Sequence, residues 1–323
     1  MTYRFFTPAP PAAATGRTAQ VYRQLRADFL GPLPTFQALS PVPEIQAATW
    51  VLMREALLAG DTSRVEREVV ASIVSRANRC RFCVDSHATL LHALGEHDLA
   101  EVVARGGTPA QPRLAELTEW AAASRTPRDA GWSGRYGPEL TGTLLAFHFI
   151  NRIVSALLAP DLLPGGVQRF PAVRSVAGRL TARVARERKE PGRSLPLIGA
   201  AATADDPVGV AYAALRDAAA PGGDLLSAVA RRTVAATVRW EDGRHPADAA
   251  AWATELTRDL PAADRVGTRI ALLAAFAPGA ISVGDVGLWR LSRPADEDLV
   301  RLVAYGAITA TEHIAGALAP AFR

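Results

Sequence analysis

A chain of 323 residues, 49% hydrophobic and 21% charged, can bury a sizeable core, has room for two domains, and is too apolar for a disordered segment. Its formal charge is only +4 and it has a single lysine, Lys189, which argues against Schiff-base chemistry and a phosphate-loop lysine. The N-terminal run MTYRFFTPAPPAAATGR has no continuous apolar segment of signal-peptide type. The longest uncharged apolar stretch, Ile270 to Gly284, is short for a membrane span and contains Pro278, so a cytoplasmic protein without a membrane partner is expected.

Residues 1 to 16, rich in proline and alanine, read as an arm, and Thr18 to Leu30 as the first helix. The loop GPLPTFQALSPVPEI then leads into an amphipathic helix from Glu44 to Ala59, ended by Gly60. Asp61, Thr62 and Ser63 offer caps for a helix from Arg64 to Arg76, with Ser63 and Glu66 spaced as a capping box. Val65, Val69, Ala71, Ile73, Val74 and Ala77 give that helix its apolar content, and Glu68 among them is either a buried partner or a rim charge. A tight turn at Arg79-Cys80 follows, and the pattern resumes through Phe82, Ala88, Leu90, Leu91 and Leu94 to Gly95. Two short helices between Leu99 and Ser124 and a strongly apolar one from Pro138 to Leu158 complete a first block, which closes at Pro160 to Gly166.

Arg169 to Arg188 reads as a connecting helix. From Arg169 to Arg193 eight basic residues stand against Glu187 and Glu190, a net of +6 that leaves −2 for the rest of the chain. These arginines read as a solvated face or an oligomer contact. No aromatic interleaving accompanies them, so no nucleic-acid partner is expected. A second helical block runs from about Leu197 to Arg323, and no stretch alternates with period two, so the fold class is all-α. The domains expected are 1–166, a basic connection over 167–196, and 197–323. Arg152-Ile-Val-Ser-Ala-Leu near the end of the first block resembles His313-Ile-Ala-Gly-Ala-Leu near the end of the second, which therefore reads as a degenerate repeat. With two cysteines in all, that repeat has no CxxC of its own.

Cys80, Cys83 and His87 stand at i, i+3 and i+7, one face of a helix. In a reducing cytosol such a pair points to redox chemistry or metal binding before a structural disulfide. Near a helix N-terminus, Cys80 also feels the positive end of the dipole, which favours thiolate. Other readings stay open. Cys80, Cys83, His87 and Glu68 could supply four zinc ligands, although CxxCxxxH on a helix is not a usual structural-zinc spacing, and the cysteines could be an inert packed pair. Glu68 could be a surface partner of Arg64 or Arg67, and His87 a core histidine. His92 lies off the His87 face and reads as structural. His148 and Asn151 read as packing, and Phe36, Trp50 and Trp120 as core residues that could wall the site.

Glutamate, eleven residues, CxxC, three residues and histidine is similar to the pattern of the alkylhydroperoxidase D-like branch of the carboxymuconolactone decarboxylase superfamily. On PVPEIQAATWVLMREALLAG, SRANRCRFCVDSH and FINRIVSALL, over roughly residues 35 to 160, the chain is identified as a member. Its second block resembles the thiol-free half of longer two-block relatives. The resemblance implies a helical domain that oligomerises and carries a disulfide-cycling site, with Cys80 and Cys83 as the thiols and Glu68 and His87 as the proton relay. One position departs. The best-known peroxidase members carry histidine immediately before the second cysteine, where this chain has Phe82.

The expected function is a thiol-dependent peroxidase or disulfide oxidoreductase. Cys83 attacks the distal oxygen of an organic hydroperoxide, and Cys80 condenses with the sulfenic acid to a disulfide. His87 takes the thiol proton, and Glu68 orients His87 or passes the proton on. No flavin or nicotinamide fingerprint is present, so the expectation is no bound cofactor and an external dithiol reductant. A redox sensor or scaffold that oxidises once is the rival class. A muconolactone-type decarboxylase is a third, and that chemistry has no need of the CxxC.

Overall fold

The computed structural model describes residues 3–128, 136–160, 166–167 and 170–318. Their regular structure is helical: α1 (Gly16–Asp28), α2 (Pro34–Ala38), α3 (Pro43–Met53), α4 (Arg64–Ala77), α5 (Arg81–Leu94), α6 (His97–Arg105), α7 (Pro112–Ala123), α8 (Pro138–Leu157), α9 (Pro171–Arg186), α10 (Pro207–Ala219), α11 (Ala228–Glu241), α12 (Ala249–Thr257), α13 (Ala262–Phe276), α14 (Val283–Arg290) and α15 (Asp296–Ala317). Among the described residues the β-type pairing is two isolated bridges, Tyr3 with Leu158 and Ala59 with Lys189. The fold is all-α. Parts of the expected first-block end, Pro160 to Gly166, and the expected helix start at Arg169 lie outside the described residues.

Proline opens α3, α7, α8, α9 and α10, where its missing N–H is no loss. Gly95, at φ +97°, closes α5 by donating to the His92 carbonyl. Two local expectations fail. The helix from Glu44 to Ala59 is not continuous: its last turn, Arg54–Leu58, widens to a π-turn. There the buried Glu55 accepts hydrogen bonds from the Gly192 amide and Ser194 hydroxyl, each at 2.6 Å, while Arg54 Nε reaches Asp28 at 2.6 Å. Ser63 makes no side-chain cap, and Glu66 instead accepts from Arg113 at 3.0 Å.

Helix α8 packs against α3, α4 and α5 of the first block and α10 and α15 of the second. By length and composition it could cross a membrane, yet 94% of the qualifying window is buried inside the protein. One contiguous apolar cluster extends from Val21 to Leu318, so the two blocks share a core. They meet through α3 on α10 and α8 on α15. Arg4 rivets them at the edge: its guanidinium donates to the carbonyls of Ser155 and Ala156 at the end of α8 and of Gly279 and Ile281 in the second block.

Helix α9 lies along α5. The contact is close enough that a Cβ on Gly178 would stand 2.8 Å from His92 Cβ and 2.9 Å from the Ala93 amide nitrogen. The basic helix is therefore not simply a solvated face. Arg174 is buried, bonds Glu101 at 2.6 Å and approaches Asp85 at 3.6 Å. Val176 and Leu180 on the same helix are exposed.

Candidate active site

The site begins where α4 stops. Cys80 N–H reaches back to the Ser75 carbonyl at 2.8 Å, which forces Arg79 into the left-handed region at φ +57°. A residue with a Cβ pays roughly 1–2 kcal/mol for that conformation. The turn delivers Cys80 to the residue before α5, Cys83 to its first turn, and His87 one turn further on.

Glu68, on the inner face of α4, is fully buried. Its Oε2 lies 2.6 Å from His87 Nδ1, and its Oε1 accepts from Arg64 Nε at 2.8 Å. Burial alone would raise the carboxyl. The Arg64 guanidinium and His87 outweigh it and hold Glu68 below the ordinary carboxylate range, so it is an anion near neutrality. Glu68 is thus a buried partner, and it keeps Arg64 as well. The His87 ring meets Phe147 edge to face, with centroids 4.4 Å apart.

Both cysteines are buried, as free thiols. Burial pushes the Cys80 thiol up, but hydrogen bonds from the Cys83 thiol, Ser155 and the Cys83 amide bring it below its ordinary value. Burial and the neighbouring Cys80 push Cys83 well up, with Asn151 partly offsetting them. The pair therefore titrates as a unit, with the first negative charge favoured on Cys80 and a proton retained on Cys83.

Two of these partners come from α8. Asn151 faces Cys83 and donates to Ser75 Oγ at 3.0 Å, while Asn78 donates to its Oδ1 at 3.0 Å. Ser155, one helical turn on, faces Cys80 and escaped the sequence reading. The available signal was a pair of polar residues at i and i+4 on an otherwise apolar helix.

The thiols face different chambers. Cys83 and His87 border a cavity of about 320 Å³ whose other walls are chiefly apolar, among them Phe29, Leu33, Phe36 and Ile150. Cys80 borders a second, of about 270 Å³, together with Arg4, Arg79, Arg81 and Ser155. Phe82 and Val154 line both and so stand between them. Of the aromatic residues considered for the wall, Phe36 reaches the first cavity. Trp50 instead packs edge-on against Phe36 at 5.7 Å, and Trp120 pairs with Tyr136 at 4.6 Å.

The four zinc donors do not converge: Glu68 is committed to Arg64 and His87, and among the described residues no trio of His, Cys, Asp or Glu is arranged to hold a metal ion. His92 is tied to His97 at 2.8 Å and Glu101 at 3.0 Å, and His148 to Asn78 at 3.1 Å and Ser124 at 2.8 Å. What the site offers chemically is a vicinal dithiol, an imidazole oriented by an anion, and an apolar chamber that reaches one of the sulfurs.

The sequence pattern described as the carboxymuconolactone decarboxylase family matches residues 43–123, which span α3 to α7 and hold Glu68, Cys80, Cys83 and His87. A Mycobacterium tuberculosis protein named alkyl hydroperoxide reductase is 37% identical over 325 residues, covering 95% of this chain and 92% of that protein. No solved structure matches the chain. With likeness of that degree along nearly its whole length and an all-helical fold around the matched segment, the chain belongs to the carboxymuconolactone decarboxylase family, in its alkylhydroperoxidase D-like branch.

Proposed function

We propose that the protein is a thiol-dependent peroxidase that reduces organic hydroperoxides through a Cys80–Cys83 dithiol–disulfide cycle. The observation that carries this reading is that Cys83 and His87 share the wall of the apolar cavity while the ionised Glu68 holds His87 from behind. The 37% identical relative named alkyl hydroperoxide reductase supports the coarser part, an oxidoreductase acting on hydroperoxides.

Glu68 accepts the Nδ1 proton of His87 and leaves Nε2 free as a base. Among the described residues no direct hydrogen bond joins His87 to Cys83, so a substrate hydroxyl or a water in the cavity bridges them. The Cys83 proton passes to His87, and the thiolate attacks the distal oxygen of the hydroperoxide. The O–O bond breaks, the alkoxide takes the proton from His87 and leaves as an alcohol, and Cys83 becomes a sulfenic acid. The Cys80 thiolate attacks the Cys83 sulfur, the S–O bond breaks, and hydroxide leaves as water after taking a proton. An external dithiol then restores the pair.

The second block, in this reading, is a degenerate copy that fills the place of a partner domain, as the packing of α3 on α10 and α8 on α15 supports. A homo-oligomer is proposed with it, and the exposed Val176 and Leu180 on α9 offer an apolar contact beside the site.

The test is to mix reduced protein with a slight excess of cumene hydroperoxide, follow peroxide and free thiol, and then add dithiothreitol. A Cys80–Cys83 disulfide and repeated turnover are expected. Thiols that stay unreacted, or one stoichiometric oxidation without turnover under several dithiols, would overturn the peroxidase; the second outcome belongs to a sensor.

A further inference from the structure

The rim of the Cys80 cavity holds positive charge that the fold does not use. Arg4 is committed to carbonyl groups of both blocks. Arg79 and Arg81, on either side of Cys80, are both exposed, and among the described residues neither guanidinium has a hydrogen bond or ion pair. The wall between them is small and apolar, built by Val154, Leu158, Ala159 and Gly279. On the other side of Phe82 the situation is reversed: the cation of the apolar cavity, Arg174, is neutralised by Glu101 and Asp85. The two sulfurs of one dithiol thus look into chambers of opposite character. A neutral hydroperoxide loses nothing by entering the apolar one. A thiolate, which must arrive as an anion, is drawn to the basic one.

We propose that the Cys80 cavity is the docking site of the reductant and that Arg79 and Arg81 select a small thiol bearing a carboxylate or another anionic group. The inference rests on the dithiol–disulfide cycle proposed above. The incoming thiolate attacks Cys80 Sγ of the disulfide. A bond forms between that sulfur and the reductant, the Cys80–Cys83 bond breaks, and the electron pair leaves on Cys83, which is protonated through His87. A second thiolate attacks the reductant's sulfur in the mixed disulfide and releases the Cys80 thiolate. Two thiols are oxidised to one disulfide, and the protein regains two thiols.

The experiment uses the full chain with its disulfide made by diamide, so no peroxide is involved. Its reduction is followed with mercaptoacetate, 2-mercaptoethanol and cysteamine, each rate being divided by that reagent's rate on a small neutral disulfide. Mercaptoacetate is expected to outpace cysteamine by about tenfold at low salt. The ratio falls toward one at about 1 M salt, where the screening length is about 3 Å. The Arg79→Asn/Arg81→Gln protein is expected to lose the preference; asparagine is chosen because it tolerates the left-handed backbone. Arg81→Gln alone, at an exposed position of α5, carries the test if the double variant fails to fold, and it is expected to reduce the preference to a few-fold. Equal normalised rates for the three reagents, or a preference that survives Arg81→Gln undiminished, overturn the proposal. A charge preference in a protein that does not turn over hydroperoxide supports this docking site and sinks the peroxidase reading, so the two failures are distinguishable.

Discussion

Helices α4 and α11 are both 14 residues long, and both end where the backbone turns left-handed, at Arg79 in the first block and at Asp242 and Gly243 in the second. Setting Asn78 on Asp242 lays Val70 and Val74 on Val234 and Val238, all four buried. The packing stripe is repeated, but the chemistry is not. In that register Glu68 meets Arg232, Cys80 meets Arg244, Cys83 meets Ala247 and His87 meets Ala251. Glu68 is fully buried, whereas Arg232 is exposed. A buried carboxylate is costly unless charge and hydrogen bonds compensate it, and α4 supplies both through Arg64 and His87. Where that compensation is missing, the position has turned to solvent. A like packing stripe therefore carries no chemistry by itself; the buried ion pair and the dithiol sit on positions where the two helices differ.

The largest effect is expected at the thiols. Cys83→Ser and Cys80→Ser should each lower peroxide turnover by at least about 10³-fold. Ala247→Ser, at the matching place in the second block, should leave it within about twofold. Steady-state peroxide consumption with a dithiol reads both, and equal losses would erase the difference between the blocks. Glu68→Gln comes next. It removes the anion that orients His87, and turnover should fall about 10²-fold with the helical circular-dichroism spectrum retained. Arg232→Gln is the paired control, expected to be silent.

A smaller effect concerns cover. Helix α5 is packed by α9, whereas α12 is packed by α13. Gly178→Ala places a methyl group against His92 and the Ala93 backbone and should cost about 1–3 kcal/mol, read as a melting-temperature drop of a few degrees. An unchanged melting temperature would mean that α9 is loosely held. The mildest effect lies at the seam between the blocks, where His245 Nε2 donates to the Ala77 carbonyl at 2.9 Å and Nδ1 accepts from Arg125 at 3.2 Å. Burial and the adjacent Arg125 lower His245 to about 4, so the fold holds the neutral ring. Its contribution to stability is full above about pH 6.5 and is lost as the pH falls toward about 4. Melting temperatures between pH 7 and 4.5 should show that slope, and His245→Gln should flatten it.

The helices were legible because proline and glycine mark their ends and apolar periodicity fills their length. The spacing of Glu68, Cys80, Cys83 and His87 was legible because it is local to two consecutive helices. Asn151 and Ser155 were not identified as thiol partners, since they approach across about 70 residues of chain and nothing in the sequence says which face of α8 meets α5. The π-turn at Arg54–Leu58 was hidden too: the partners of its Glu55 carboxylate, Gly192 and Ser194, lie far along the chain. Arg174 looked like one more solvated arginine, and only the packing of α9 on α5 shows it to be spent on Glu101 of α6. The opposed chambers on either side of Phe82 follow from Cys80 standing just outside α5, which a count of helical positions treats as inside it.

The rivet made by Arg4 bears on the order in which the protein can be completed. It grips the carbonyl of Ile281, 277 positions further along the chain. A nascent chain therefore displays both cysteines long before the wall at Ser155 and Gly279 is drawn together. The dithiol would meet cellular oxidants unshielded during synthesis, and in the finished protein Arg4 remains one wall of the cavity that Cys80 borders.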